Sequence, residues 1–144
     1  MDRDKIKEFE SYLNNYNVIK GQIGDLKLQL EELKDDYIGI NSKFISEGLS
    51  KTNKISSNVE SEVIEREEKI NLLEHEVKKK QLLLNRLDNA INNLDSRDRL
   101  FVELKYMKKE KNYTIAETLD RSVEYITEKR KMVINNIIKI IGEI

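Results

Sequence analysis

Apolar residues recur every seven positions through the first forty residues of the chain. A second apolar row follows the first by three residues, and the two rows are Phe9, Tyr16, Ile23, Leu30, Tyr37 and Phe44, with Tyr12, Ile19, Leu26, Leu33 and Ile40. Rows at this spacing are the a and d positions of a coiled coil, because together they form one continuous stripe on a helix. The pattern predicts a long helix over residues 5–40.

A second pair of heptad rows covers residues 59–94. Its members are Val63, Ile70, Val77, Leu84 and Ile91 in one row, and Val59, Leu73, Leu87 and Leu94 in the other. Arg66 and Lys80 interrupt the second row, and polar residues at such positions tend to fix register or partner number. Residues 41–58 are rich in serine, asparagine and glycine, which predicts a loop. The rows fit an antiparallel hairpin within one chain and pairing between two chains equally well.

The last fifty residues follow a different pattern. Thr114 with Glu117 three residues later has the form of a capping box, which predicts a helix starting at Thr114. Ser122 is a strong N-cap residue and predicts the start of a longer helix. That helix has one apolar stripe, formed by Ile126, Val133 and Ile137. Two helices joined by a turn of three or four residues form a helix-turn-helix, whose second helix enters the major groove of DNA.

A support helix is predicted in front of this motif. Its expected N-cap is Asp95 or Ser96, and its apolar contacts are Leu100, Phe101, Leu104 and Tyr106. Asp120 falls in the turn, where a left-handed backbone favours glycine, although aspartate tolerates this conformation better than most residues. The connector Lys108-Lys109-Glu110-Lys111 has two open interpretations, a solvated loop or a contact with DNA phosphates.

Two stretches of this segment, Leu94–Tyr106 and the run Ile115-Ala116-Glu117-x-Leu119-x-x-Ser122, resemble the fourth conserved region of bacterial sigma factors. In that family the first stretch is a support helix ending in an aromatic residue, and the second leads into the recognition helix. With about ninety helical residues in front, the chain resembles the small phage regulators of the ArpU and RinA type, which activate late or packaging genes. The sequence departs from the sigma pattern at Asp120, usually glycine, and at Lys129, usually apolar. The stem of Lys129 can cover the core while its ammonium reaches water or phosphate.

The helix that starts at Ser122 is therefore the expected recognition helix. The candidate DNA-contacting residues are Arg121, Ser122, Val123, Glu124, Tyr125, Thr127, Glu128, Lys129, Arg130 and Lys131. Base contact is expected from Glu124, Thr127 and Glu128, because glutamate accepts from cytosine N4 and threonine touches a thymine methyl. The basic residues at 129–131 lie further along, where phosphates are the expected partners. A merely solvated helix face is the alternative.

Composition and charge limit these interpretations. The 144 residues include no proline and five glycines, with 37% charged residues, which favours long helices. There is no cysteine, which rules out disulfides and thiolate metal sites and fits a reducing cytoplasm. Residues 95–144 hold 11 Lys and Arg against 9 Asp and Glu, whereas the other 94 residues hold 15 against 18. The basic excess is small, so phosphate contacts alone would give modest, salt-sensitive affinity.

Residues for catalysis are sparse. His75 is the only histidine, and it falls on an outward position of the second helix. The sequence contains no glycine-rich phosphate loop, no Ser/His/Asp order and no metal-ligand spacing, so we expect neither an enzyme nor a cofactor. The charged N-terminus lacks the features of a targeting signal, and the apolar stretch Met132–Ile144 is too short to span a bilayer. A cytoplasmic protein without membrane contact is expected.

The sequence thus predicts an all-α protein with a coiled-coil helical arm or hairpin over residues 1–94 and a helix-turn-helix domain over residues 95–144. The expected function is sequence-specific binding of double-stranded DNA by a phage-encoded transcription regulator, with bacterial RNA polymerase as a possible partner. Two alternatives are a DNA-packaging protein like the small terminase subunits, and a coiled-coil adaptor that binds polymerase or another protein without recognising DNA.

The C-terminal tail is rich in isoleucine, and its members are Ile134, Ile137, Ile138, Ile140, Ile141 and Ile144. This is more apolar surface than one short helical bundle needs, so the tail either forms a dimer contact or packs within its own chain. A homodimer through the coiled coil or through this tail is expected.

Overall fold

The computed structural model describes the backbone of residues 3–48 and 53–144, and the side chains of residues 3–39 and 59–144. The helices are α1 (Arg3–Asn14), α2 (Tyr16–Gly48), α3 (Asn53–Asn92), α4 (Ser96–Val102), α5 (Asn112–Leu119) and α6 (Val123–Ile141). A π-helical segment, Glu103–Met107, directly continues α4. These described residues include no strand, so the predicted all-α fold is confirmed.

The chain divides into two compact units. The first contains Met1–Lys20 and Leu82–Ile144, and we call it the helix-turn-helix unit. The second is Gly21–Gln81, which we call the hairpin unit. The first residues of α2 and the last residues of α3 therefore belong to the unit that contains the C-terminal helices. That unit is larger than the segment 95–144 that the sequence pattern distinguished.

In the hairpin unit, α2 and α3 run antiparallel within one chain. The Lys80 ammonium lies 3.2 Å from the Gln22 side-chain oxygen, and the Lys34 ammonium lies 3.9 Å from a Glu74 carboxylate oxygen. The heptad rows supply the buried contacts, among them Ile23, Leu30, Val59 and Ile70. Lys80, a polar interruption of its row, is thus matched by a polar partner on the facing helix. The intramolecular pairing is one of the two arrangements that the sequence left open.

The long helices extend further than the sequence predicted. Residues 41–48 and 53–58 are helical, so the predicted loop over 41–58 is wrong in extent, and residues 49–52 lie outside the described part. Serine and asparagine lower helix stability by less than about 0.7 kcal/mol each, which is too little to end a long helix. Ile40 and Phe44 are the last members of the heptad rows of the first helix, and their side chains lie outside the residues whose side chains the structure describes.

The first predicted helix is interrupted once, at Asn15, between α1 and α2. The Asn15 amide still donates to the Ser11 carbonyl at 3.0 Å, and the Ile19 amide donates to the Asn15 carbonyl at 2.8 Å. The interruption therefore preserves the helical course of the chain, and the heptad rows continue through it with Phe9 and Tyr16 both buried.

The core of the helix-turn-helix unit is drawn from every helix in it. α1 packs on α6 and on the π-helical segment, α5 packs on α6, and Phe9 and Leu13 of α1 are 1% and 0% exposed. The other fully enclosed side chains are Leu87, Ala90, Phe101, Val102, Tyr106, Ile115, Ile126, Val133, Ile134 and Ile137. Burial of one large apolar side chain stabilises a fold by about 1.5–3 kcal/mol, so α1 is an integral part of this unit.

The isoleucine-rich tail contributes mainly to this core. Ile134 and Ile137 are 0% exposed and Ile138 is 4% exposed, whereas Ile140 and Ile144 remain exposed. The Arg86 guanidinium donates to the carbonyl oxygens of Ile141 and Glu143 at 3.1 and 2.5 Å, which holds the end of the chain in place. Of the two predicted roles, packing within the chain is the one that the structure gives to most of the tail.

Candidate nucleic-acid interface

The turn between α5 and α6 has the predicted geometry. Asp120 adopts the left-handed conformation with φ 55° and ψ 52°. The Arg121 amide donates to the Ala116 carbonyl at 2.9 Å, and the Asp120 amide donates to the Glu117 carbonyl at 3.2 Å. This pair of bonds is a Schellman motif, which ends α5 with its last carbonyls satisfied. Aspartate thus fills a position where glycine is usual.

Ser122 caps α6 as predicted. Its hydroxyl oxygen accepts from the Tyr125 amide at 3.1 Å, and its own backbone is extended. The Arg97 guanidinium donates to the Leu119 carbonyl at 2.6 Å, so the support helix also holds the turn. Asp95 is the N-cap of that support helix, because its carboxylate accepts from the Asp98 amide at 2.8 Å. Both caps are therefore formed by short-range bonds that the local sequence predicts, whereas the Arg97 bond to the turn joins residues 22 positions apart.

The capping box predicted at Thr114 and Glu117 is wrong. α5 starts at Asn112, and its N-cap residue Lys111 forms no side-chain capping bond. The Lys105 ammonium lies 3.0 Å from the Asn112 side-chain oxygen, which holds the chain in place for an earlier start. Thr114 therefore lies inside the first turn instead of ahead of it.

One face of α6 is open to solvent over its first turns. Val123, Glu124, Thr127, Glu128 and Lys131 are exposed on it, whereas Tyr125 is half-buried and Ile126 is fully enclosed. Residues 123–131 extend about 12 Å along the axis at 1.5 Å per residue. The three residues predicted to contact bases thus share a single accessible face. That face is electrically balanced, since its two carboxylates are matched by Lys131 and by the exposed Arg121 just before the helix.

Lys129 and Arg130 do not lie on this face. The Lys129 ammonium is 2.7 Å from an Asp98 carboxylate oxygen, with both side chains largely buried, so the prediction that it reaches water or phosphate is wrong. The hydrogen bond with Asp98 raises the pKa of Lys129 above its ordinary value despite the opposing effect of burial. Arg130 pairs with Glu10 of α1 at 2.6 Å. Both cations hold α6 against its neighbours.

Glu10 joins three elements of the unit. One of its oxygens accepts from the Arg130 guanidinium, and the other accepts from the Tyr106 hydroxyl at 2.7 Å. Burial, together with the bond to this carboxylate, raises the pKa of Tyr106, so the hydroxyl keeps its proton and remains a donor. A single carboxylate of α1 therefore links the π-helical segment to α6. Sequence analysis missed this role because Glu10 stands beside the heptad rows like an ordinary surface charge.

Two lysines of the connector over residues 108–111 form contacts within the chain. The Lys109 ammonium donates to the Asn14 carbonyl at 2.7 Å, and its backbone is left-handed with φ 56°. A cation on a last-turn carbonyl stabilises the C-terminus of α1. The Lys108 ammonium lies 3.7 Å from a Glu103 carboxylate oxygen, and both side chains are well exposed. Lys111 is exposed just before the start of α5. Lys109 thus has a structural role that neither sequence interpretation included.

Arg121 stands over an aromatic ring at the entrance to α6. Its guanidinium carbon is 5.4 Å from the centre of the Tyr125 ring, and the Lys129 ammonium is 5.9 Å from the same ring. Cation–π contacts of this kind contribute about 0.5–1 kcal/mol at exposed sites. The ring therefore orients Arg121 beside the exposed face while leaving its N–H groups accessible.

No protein-family model, curated protein or solved structure matches this chain. His75 is exposed, as predicted, and among residues 3–48 and 53–144 no three His, Cys, Asp or Glu side chains are grouped to hold a metal ion. Within the same residues no helix combines the length and apolar character needed to cross a membrane.

Proposed function

We propose that this chain is a sequence-specific DNA-binding protein that regulates transcription, similar in kind to the phage regulators it resembles. The observation that carries the proposal is the α5–α6 pair, in which a Schellman turn and the Ser122 cap leave the first turns of α6 exposed. A helix presented in this way is the element that enters the major groove in helix-turn-helix proteins.

The exposed side chains divide into base contacts and phosphate contacts. Glu124 and Glu128 are suited to accept from cytosine N4, and Thr127 is suited to touch a thymine methyl. Arg121 and Lys131 flank them and are suited to phosphate. Ser122, Val123 and Tyr125 shape the start of the helix, while the cations at 129–130 act by holding it in position.

Selection from a random double-stranded DNA library tests this proposal. Purified protein should enrich a short motif, and fluorescence anisotropy should show saturable binding to that motif in excess random competitor. The double variant Thr127→Ala/Glu128→Ala should lose preference at particular base pairs while retaining helicity. Lys139→Ala, an exposed change on the last turns of α6 and away from the expected base contacts, is the control and should select the wild-type motif. A uniform loss across all sequences would contradict base contact by Thr127 and Glu128.

A second candidate is an adaptor that binds protein, for example bacterial RNA polymerase. Two observations favour it. The exposed face of α6 together with Arg121 carries no net charge, and the hairpin unit has large exposed apolar side chains, among them Leu28, Ile38, Ile64 and Leu72. Most of the isoleucine tail is buried within the chain, so a homodimer or a polymerase complex would use other surfaces. Enrichment of no DNA motif, with retention on immobilised polymerase, would favour the adaptor.

A further inference from the structure

A cleft of about 300 Å³ lies between α1 and α6 inside the helix-turn-helix unit. It is lined by Arg3, Ile6, Lys7 and Glu10 of α1, with Arg130 and Lys131 of α6. Arg3, Lys7 and Glu10 stand three or four residues apart, so they share one side of their helix. The cleft therefore brings four cations together with a single carboxylate.

The carboxylate is already used. Glu10 accepts from Arg130 and from Tyr106, which leaves Arg3, Lys7 and Lys131 as excess positive charge. Throughout the part of the chain that the structure describes, these three side chains take part in no ion pair. Arginine and lysine converging in this way are suited to a phosphate, because each donates charge-assisted hydrogen bonds to its oxygens.

The position of the cleft indicates which phosphate it would hold. Lys131 follows Thr127 by four residues, which places it one turn, about 6 Å, further along α6. The major groove of B-DNA is about 12 Å wide, so residues one or two turns beyond the base contacts meet the sugar–phosphate backbone at its edge. α1 packs against α6, and its Arg3 and Lys7 line the same cleft as Lys131. They would therefore lie along the same edge of the groove as Lys131.

We propose that α1 is a second DNA-contacting element, in which Arg3 and Lys7 act with Lys131 to hold backbone phosphate beside the groove that α6 enters. This inference rests on the proposed DNA-binding function and adds to it a contact from the opposite end of the chain. Such a contact carries no sequence information, and it strengthens binding to all DNA equally while fixing the orientation of α6.

The test compares two double variants with the same change in net charge. Arg3→Ala/Lys7→Ala removes the two α1 cations of the cleft and leaves Lys131 in place, and Lys78→Ala/Lys79→Ala removes two exposed cations of the hairpin unit. Binding of each variant and of the wild type to the selected motif and to random DNA is measured by anisotropy between about 50 and 200 mM salt, a range over which phosphate contacts dominate the change in affinity. Circular dichroism checks that each variant retains its helicity. If the cleft variant loses helicity, the single variant Lys7→Glu replaces it in the same binding measurements.

The cleft variant should keep the wild-type motif and bind all DNA at least about tenfold more weakly at the lower salt concentrations. The slope of log affinity against log salt should fall by about 0.9 for each phosphate that the variant no longer neutralises, whereas the control should remain near the wild-type slope. Wild-type binding with an unchanged slope in the cleft variant, or an equal loss of affinity in the control, would overturn the inference alone. Absence of any DNA binding by the wild type would overturn the proposed function and the inference together.

Discussion

The two compact units bury the same kinds of side chain to different depths. Ile115, Ile126 and Ile137 of the helix-turn-helix unit are 0% exposed, whereas Ile23 and Ile70 of the hairpin unit are 5% and 8% exposed. Several heptad positions of the hairpin are only half-buried, namely Leu26, Leu33, Val63, Leu73 and Val77. A pair of helices can cover one stripe of each partner, but a bundle of several helices encloses side chains from all directions.

Polar contacts differ between the units in the same way. The ion pair between Arg130 and Glu10 spans 2.6 Å with side chains 28% and 18% exposed, and Glu10 has a further partner in Tyr106. The pair between Lys34 and Glu74 in the hairpin spans 3.9 Å with side chains 55% and 44% exposed. The helix-turn-helix unit is therefore built to hold one helix in a defined orientation, while the hairpin is held mainly by a single apolar seam.

Removal of one isoleucine from each unit should give the largest contrast. Ile137→Ala should destabilise its unit by about 4 kcal/mol, because the side chain is fully enclosed and leaves a cavity. Ile70→Ala should cost about 2 kcal/mol, since its surroundings are partly open and can relax. Hydrogen exchange of peptides from each unit measures the two changes in stability separately. Equal changes would show that the seam of the hairpin is packed as tightly as the core of the other unit.

Neutralising one carboxylate in each unit should give the next largest contrast. Glu10→Gln leaves Arg130 partly buried without its counter-charge, and a loss of stability of about 2 kcal/mol is expected after allowance for its partial exposure. Glu74→Gln should change stability by less than about 0.5 kcal/mol, as is usual for an exposed pair. Urea denaturation followed by circular dichroism measures both. A negligible effect at Glu10 would mean that the Tyr106 and Arg130 contacts contribute little to holding α6.

The faces of the helices could be predicted from sequence, but the partners of those faces could not. Heptad spacing identified Phe9, Ile23 and Ile70 as buried, and the structure confirms all three. Yet Phe9 packs in the helix-turn-helix unit, while Ile23, two repeats later in the same row, belongs to the hairpin. Periodicity indicates which side of a helix is apolar, but it does not indicate what covers that side.

Some features of the candidate site could likewise be predicted from local sequence, and others could not. The turn at Asp120 and the cap at Ser122 depend on neighbours within a few residues, so local sequence was sufficient to predict them. The Glu10–Arg130 pair joins residues that are 120 positions apart, and local pattern contains no sign of it. The capping box failed for a related reason, because a tertiary contact from Lys105 to Asn112 supports an earlier start of α5.

Alanine placed at one backbone position in each unit should give the smallest contrast, and the two effects should have opposite signs. Gly24 lies inside α2, beyond its first two turns, and a Cβ added there would meet no other atom within 4 Å. Gly24→Ala should therefore stabilise the hairpin by up to about 1 kcal/mol through the higher helix propensity of alanine. Asp120→Ala should destabilise the helix-turn-helix unit by about 1 kcal/mol, because alanine tolerates the left-handed conformation less well than aspartate.

Asp120→Gly is the control that separates backbone conformation from loss of the carboxylate. Glycine adopts positive φ without steric cost, so this variant should be at least as stable as the wild type if conformation alone decides. Hydrogen exchange at the amides of Asp120 and Arg121, which close the Schellman turn, follows the local effect directly. If Asp120→Gly proved as destabilising as Asp120→Ala, the left-handed backbone would not explain why aspartate stands at this position. The stability of the turn before α6 would then depend on a polar contact of the Asp120 carboxylate.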